Sequence, residues 1–284
     1  MPALSLVVCL YKEGAFLTRL LAHAEGCHDD LVVVHDGPDE DNVRAIVEAH
    51  GGRFFAQPRA YQQEPHWPFA WGQAQHDWVL RWDADEFPSA ELCDWLKAFR
   101  QAPEPEADIS GYTCIFPLWD GQAARTIRWP RRICLIHRQR VRYFGMADQS
   151  PIPDGRWQPL DLVLHHQPDR PSYGVWYTLR RPTSRRWHIE IARSLLGRPT
   201  DLACWRWDSP DWPEKWEAIR RHPLRTGLIR LILSPLRNGM DMIRHGEWPR
   251  PSALVFFPLQ HWMTCYRHFQ LKRQHRREAA EKHG

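Results

Sequence analysis

The sequence predicts an α/β fold, with a mostly parallel central sheet flanked by helices and a helical extension at the C-terminus. Three observations carry this reading. Short apolar runs alternate with helix-period segments through the first hundred residues, as expected of successive βαβ units. The runs are continuous rather than alternating, which suits strands buried on both faces. Beyond Leu224 the pattern changes to apolar segments flanked by Arg and Trp.

In order along the chain, Leu4 to Leu10 is the first buried strand, and residues 14–25 form a helix with Phe16, Leu17, Leu20, Leu21 and Ala24 on one face. Leu31 to Val34 is the second strand, closed by the turn His35-Asp36-Gly37-Pro38. A helix over Asn42 to His50 stops at Gly51-Gly52, and a third strand spans Arg53 to Ala56. Residues 57–76 read as a loop or irregular helix, and Trp78 to Trp82 as the fourth strand. Ser89 is an N-cap for a helix from Ala90 to Arg100. Two further strands are expected at Gly111–Leu118 and Arg132–His137, a Pro-rich surface wrap over 150–172, and a helical segment over 174–196.

The bulk numbers narrow the class. Apolar content of 43 % and charged content of 25 % are ordinary for a folded protein. Seven cysteines without paired spacing indicate neither a zinc ribbon nor a disulfide framework, and read as reduced. The sixteen tryptophans are unusual; half or more belong to the core, and others suit sugar stacking or a membrane interface. The formal charge of +4 conceals an asymmetry, since residues 217–284 carry 13 Lys and Arg against 5 Asp and Glu. A basic tail of this kind points to an anionic surface. Leu224 to Leu233 and Ser252 to Phe257 are too short to span a bilayer and suit helices lying in its interface or packed as a lid. The tail lacks the aromatic interleaving that grips single strands, which argues against nucleic acid. The expected location is cytoplasmic, with peripheral attachment at the inner face of the cytoplasmic membrane as the option the tail allows.

The most informative residues are Asp83-Ala84-Asp85-Glu86, directly after the fourth strand. Ligands of open α/β sheets bind outside the carboxyl ends of the strands. Glu13 follows the first strand and Asp36 the second, so a parallel sheet gathers these acids on one edge. Acids so gathered repel one another unless a cation or hydrogen-bond donors offset them. Hard oxygen ligands of this type suit Mg²⁺ or Mn²⁺.

These motifs resemble those of the inverting family 2 glycosyltransferases, which have the GT-A fold. There the fourth strand reads W-[VI]-L-x-L-D-A-D-E, and here Trp78 to Glu86 reads WVLRWDADE. The first strand of the family enters an Asn-Glu pair, where this chain keeps Glu13 and departs from the pattern at Lys12; the second ends in V-V-D-x-G-S-x-D, and here Val33 to Asp39 reads VVHDGPD. The likeness is good over residues 4–100, moderate to about 197 and slight beyond. It implies domains at 1–200 (nucleotide half 1–100, acceptor half 101–200) and 201–284, the latter a basic, amphipathic, membrane-associated extension. It further implies transfer of a sugar from a nucleotide-sugar donor to a glycan or glycolipid acceptor. Glu13 and Asp36 would contact nucleobase and ribose, Asp83 would lie near the ribose and metal, and Asp85 would hold the ion on the diphosphate.

The nearest subgroup resembles lipopolysaccharide-core and related bacterial surface-glycan transferases, whose members carry R-L-F-R followed by Y-x-G-x-V-H-E. Here Arg131 to Arg138 precedes Tyr143-Phe144-Gly145-Met146-Ala147-Asp148-Gln149. Gln149 stands where the acid is expected and cannot accept a proton, so the general base is assigned to Asp148, with Glu86 as the other candidate. The strand ending in His165-His166 matches a family position at which either imidazole serves as a metal or diphosphate ligand. Arg132 is expected at the diphosphate, at a phosphorylated acceptor or in a surface pair. Two other readings stay open: a non-catalytic glycan- or membrane-binding protein on a decayed transferase fold, and a nucleotidyltransferase. The second is disfavoured because residues 9–16 (CLYKEGAF) hold a single glycine where a phosphate loop would be.

Overall fold

The computed structural model describes residues 1–143, 145, 149–175, 188–189, 191–192, 195–196 and 214–283. The chain forms two compact units, Met1–Ser172 and Tyr173–Gly284.

The first unit is built on an eight-stranded sheet. Its strands are β1 (Leu4–Leu10), β2 (Asp30–Asp36), β3 (Arg53–Gln57), β4 (Trp78–Arg81), β5 (Glu86–Pro88), β6 (Ile109–Ile115), β7 (Arg131–His137) and β10 (Arg156–His166), in the order β3-β2-β1-β4-β7-β6-β10-β5. β8 (Val141–Arg142) and β9 (Ile152–Pro153) form a separate short pair. The β3-β2-β1-β4 half is parallel throughout, and β10 runs parallel to β6. β7 runs antiparallel between β4 and β6, and β5 antiparallel beside β10.

The continuous apolar strands are buried on both faces, as their composition predicts. Leu4, Leu6, Val8 and Leu10 of β1 pack with Leu17 and Leu20 of α1 (Gly14–His23) and Leu92 and Leu96 of α4 (Ala90–Gln101). The intervening Val7 and Cys9 face a second cluster, with Trp67, Ala70 and Trp71 of α3 (Trp67–Gln73). The remaining helix of this unit is α2 (Val43–Ala49). Ser89 caps α4 as expected, its Oγ accepting the Leu92 N–H at 3.2 Å.

Two departures from the sequence reading bear on the site. Nearly half of the expected surface wrap over 150–172 is the eleven-residue strand β10, of which only the end at His165-His166 was expected as strand. Pro159 hid it, because proline removes a ladder hydrogen bond; here it lies where the β10–β6 register shifts, a place a strand tolerates it. Close packing of β6 also needs Gly111, since a Cβ there would lie 2.3 Å from the Leu135 carbonyl oxygen and 2.7 Å from the Trp157 ring. Trp157 is thereby a packing residue of the sheet.

The second unit contains α5 (Glu214–Arg221), α6 (Pro223–Arg244) and α7 (Pro251–His283). The short apolar segments expected here belong to much longer helices, which continue through Pro235 and Pro258. A Cβ at Gly227 of α6 would meet Trp262 of α7 at 2.8 Å, so the glycine permits close approach of the two helices. No helix among the described residues is long and apolar enough to cross a membrane. The helix expected over 174–196 falls largely outside the described residues.

Candidate active site

The acidic tetrapeptide leaves β4 as a tight turn, in which the Glu86 N–H donates to the Asp83 carbonyl oxygen at 3.0 Å. Two antiparallel neighbours then supply a guanidinium and an imidazole to it. In the β4–β7 register Leu80 faces Leu135, so continuing the ladder brings Arg132 opposite Asp83. Arg132 donates to Asp83 Oδ2 at 2.6 Å and lies 2.5 Å from Glu86 Oε1. The Asp83 N–H donates to the other Glu86 oxygen at 3.1 Å. In the β10–β5 register His166 faces Glu86, which sets His166 Nε2 3.4 Å from Asp85 Oδ2. The imidazole stacks on Phe116 with centroids 4.9 Å apart, and Arg132 lies over the same ring.

Glu13 reaches the cluster from the end of β1, just before α1. Burial, followed by the charges of Asp85 and Asp83, pushes its carboxyl up to about 8. Burial also raises Asp83, but the Arg132 guanidinium outweighs this and holds it below the usual carboxylate range. Glu86 is fully buried, and that burial lifts its carboxyl well above the usual range despite Arg132. Glu86 is therefore a poor general base: it is sealed from solvent and engaged by Arg132. Arg132 itself is neither a surface pair nor an open anion site, because both arms of its guanidinium are used within the turn.

Of the residues singled out from sequence, the structure brings Glu13, Asp83, Asp85 and His166 together. His165 is not among them. Successive strand residues point to opposite faces, and His165 lies among His23, Glu91 and Arg19, with burial lowering its imidazole. Asp36 lies at the end of β2 in a group of its own. It accepts from the Ala60 N–H, pairs with His66 Nε2 at 2.9 Å and meets Arg59 at 3.2 Å. Arg59 in turn lies 3.0 Å over the Tyr11 ring and 4.9 Å from that of Tyr61. Asp148 is outside the described residues. Sequence reading did not find the group His35, Asp39 and Asp41, whose possible ligand atoms lie within 4.8 Å of one another. His35 is fully buried, and its Nδ1 is 2.9 Å from the Gly37 carbonyl oxygen.

The main cluster offers donor atoms of a kind a divalent cation takes, although among the described residues the ligand atoms that lie within 4.8 Å of one another are those of His35, Asp39 and Asp41. Asp83 Oδ1 and Glu13 Oε2 are buried oxygens with no hydrogen-bond partner. Four carboxylates (Glu13, Asp83, Asp85 and Glu86) gather here with Arg132, and the charges of Arg81 and Arg170 also reach Asp83 and Glu13; carboxylate oxygens with one imidazole are donors of the type suited to Mg²⁺ or Mn²⁺.

The raised Glu13 carboxyl makes a prediction about pH. Below about pH 4.5 Glu13 is protonated whether the chain is folded or not. Between 4.5 and 8 the folded protein keeps a proton that the unfolded chain has released, so stability falls as pH rises and this contribution is gone above about 8. Glu13→Gln preserves the neutral form. Its melting temperature is expected to overtake that of the wild type progressively from pH 5 to pH 9, at about 2–4 °C per kcal/mol recovered. A difference that stays constant across that range in thermal melts would rule out the assignment.

A mixed, mostly parallel sheet with acids gathered at the carboxyl ends of β1, β2 and β4 is the layout of a GT-A nucleotide-sugar transferase. The family model for Glycosyl transferase family 2 matches residues 5–152, just over half the chain, and the chain belongs to that family. It is a glycosyltransferase. No curated protein matches it.

Proposed function

We propose that the chain is a metal-dependent inverting transferase that moves a sugar from a nucleotide-sugar to a glycan or glycolipid, in the synthesis of lipopolysaccharide or another bacterial surface polysaccharide. The observation that supports this reading is the grouping of Glu13, Asp83, Asp85 and His166 at the carboxyl ends of β1 and β4, with Glu13 raised by the charges of Asp85 and Asp83 and His166 Nε2 3.4 Å from Asp85. Asp85 and His166 would hold Mg²⁺ or Mn²⁺, with Asp83 Oδ1 turned to the same space. Such an ion stabilises the charge that develops on the departing nucleoside diphosphate. Arg132 fixes the turn so that Asp83 stays ionised while its second oxygen remains available. Glu13 and Asp36 would bind the nucleoside, with the Tyr11–Arg59 stack beside Asp36 as a flat surface for the base. Asp148 would take the proton from the attacking acceptor hydroxyl.

Asp148→Asn tests that last assignment. Turnover is expected to fall by about 10²-fold or more, with donor affinity unchanged in a calorimetric titration. A rate near that of the wild type would move the base elsewhere.

Attachment to an anionic membrane is part of the same proposal. On α6, Ile229, Ile232, Leu236, Met240 and Ile243 form one stripe, each between 45 % and 65 % exposed. The face carrying Gly227 is the one packed against α7. Trp248, just past the helix, is 85 % exposed. An apolar stripe with an indole at its end and arginines beside it (Arg237 and Arg244 are both exposed) is the composition of a helix lying in a bilayer interface.

A further inference from the structure

At the end of the α6–α7 pair remote from Trp248 lies a cavity of about 340 Å³, lined by Arg221, Arg225, Phe269, Lys272, Arg273 and Arg276 among others, with no acid in its lining. Its cations come from two sources. Arg221 and Arg225 flank the first turn of α6, where the helix dipole adds positive potential. Lys272, Arg273 and Arg276 project from α7 at positions spaced to share a face. Arg221 already pairs with Glu217 at 2.6 Å, and Lys272 donates to the Arg220 carbonyl oxygen at 3.1 Å. Arg225, Arg273 and Arg276 make no hydrogen bond or ion pair to another described residue.

Like charges held this close repel one another, so the arrangement is stabilised by an anion with several acceptor oxygens. Arg225 connects the cavity to the apolar stripe. Counting from Arg225, Ile229, Ile232, Leu236, Met240 and Ile243 stand four, seven, eleven, fifteen and eighteen residues on, all on one helical face. One surface therefore offers a multi-arginine anion pocket continuous with an apolar stripe. A soluble phosphate ester would use the first and not the second.

The geometry points to this cavity as the binding site for the phosphate-bearing headgroup of a membrane lipid, with the stripe of α6 lying among the acyl chains. The inference rests on the membrane attachment proposed above and gives it a chemical specificity. A terminal phosphate monoester, with more charge and more free oxygens than a diester, fits three unpartnered guanidinium groups best.

The test is cosedimentation of the full chain with vesicles of phosphatidylcholine alone, or mixed with phosphatidic acid or phosphatidylglycerol at matched surface charge. The wild type is expected to prefer phosphatidic acid. Arg273→Glu with Arg276→Glu, both exposed positions, should weaken that binding by about tenfold or more and abolish the preference. Ile232→Glu with Leu236→Glu should weaken binding to every vesicle. Equal binding of both anionic lipids, with the charge-reversal variant matching the wild type, would overturn the pocket and leave membrane attachment standing. No vesicle binding by the wild type would overturn both. Saturable binding of glycerol 3-phosphate without vesicle binding would show a soluble ester as the ligand, and so overturn the lipid assignment.

Discussion

Arg132→Ala is expected to lower the free energy of unfolding by about 3–5 kcal/mol, the usual cost of removing one partner from a buried ion pair. Arg132 is the cation in direct contact with both Asp83 and Glu86. Without it the ionised Asp83 loses its counter-charge and its donor at Oδ2, and the fully buried Glu86 loses its partner. The turn that presents the acids depends on the same contacts, so donor binding should fall with stability. Urea unfolding measures the first effect. The double variant Arg132→Met with Asp83→Asn checks its cause: removing the orphaned charge of Asp83 should recover much of the loss. A single variant as stable as the wild type would show that the acids do not depend on this guanidinium.

Asp85→Asn should behave in the opposite way. Among the described residues its side chain pairs with His166 at 3.4 Å, and it sits among other carboxylates. Losing one negative charge there relieves repulsion, so the melting temperature should hold or rise slightly. Transfer activity is expected to drop by about 10²–10³-fold, since a group stabilising the leaving diphosphate acts where charge develops. Stabilisation by nucleotide with Mn²⁺ should vanish with it. Two neighbours in one cluster thus divide the work: Arg132 holds the turn, and Asp85 serves the ligand. Wild-type turnover in Asp85→Asn would remove Asp85 from the donor site.

The parallel half of the sheet was legible because its strands are buried on both faces and read as unbroken apolar runs. Leu4–Leu10 is the same in sequence and structure, and Ser89 caps α4 as its position suggested. In the other half the strands β6 and β7 were legible, but their antiparallel pairing was not. Which strands lie beside β4 is decided by long-range pairing, which leaves no local periodicity. Arg132 consequently looked like a surface or ligand residue, although the β4–β7 ladder sets it opposite Asp83. The same limit applies to His165 and His166. Their adjacency suggested a pair, yet strand alternation turns only His166 toward Asp85. β10 was obscured by Pro159, and α6 and α7 by Pro235 and Pro258, since proline is a sound breaker signal until packing overrides it. His35 was missed because it read as the first residue of the turn closing the second strand, whereas β2 continues through Asp36 and buries it. Its proximity to Asp41, 3.4 Å away, depends on how the loop after β2 folds back.

The central claim is that the edge built by Glu13, Asp83, Asp85 and His166 binds a nucleotide diphosphate through a divalent cation. It is tested most directly by thermal shift of the intact chain with UDP, GDP, CMP, ADP and their sugars, each with and without Mn²⁺. Stabilisation by one nucleoside diphosphate and its sugar is expected, dependent on the metal and absent in Asp85→Asn. Failure of every nucleotide to stabilise the wild type, with or without metal, would contradict it and favour a glycan-binding protein that has kept the transferase fold without its chemistry.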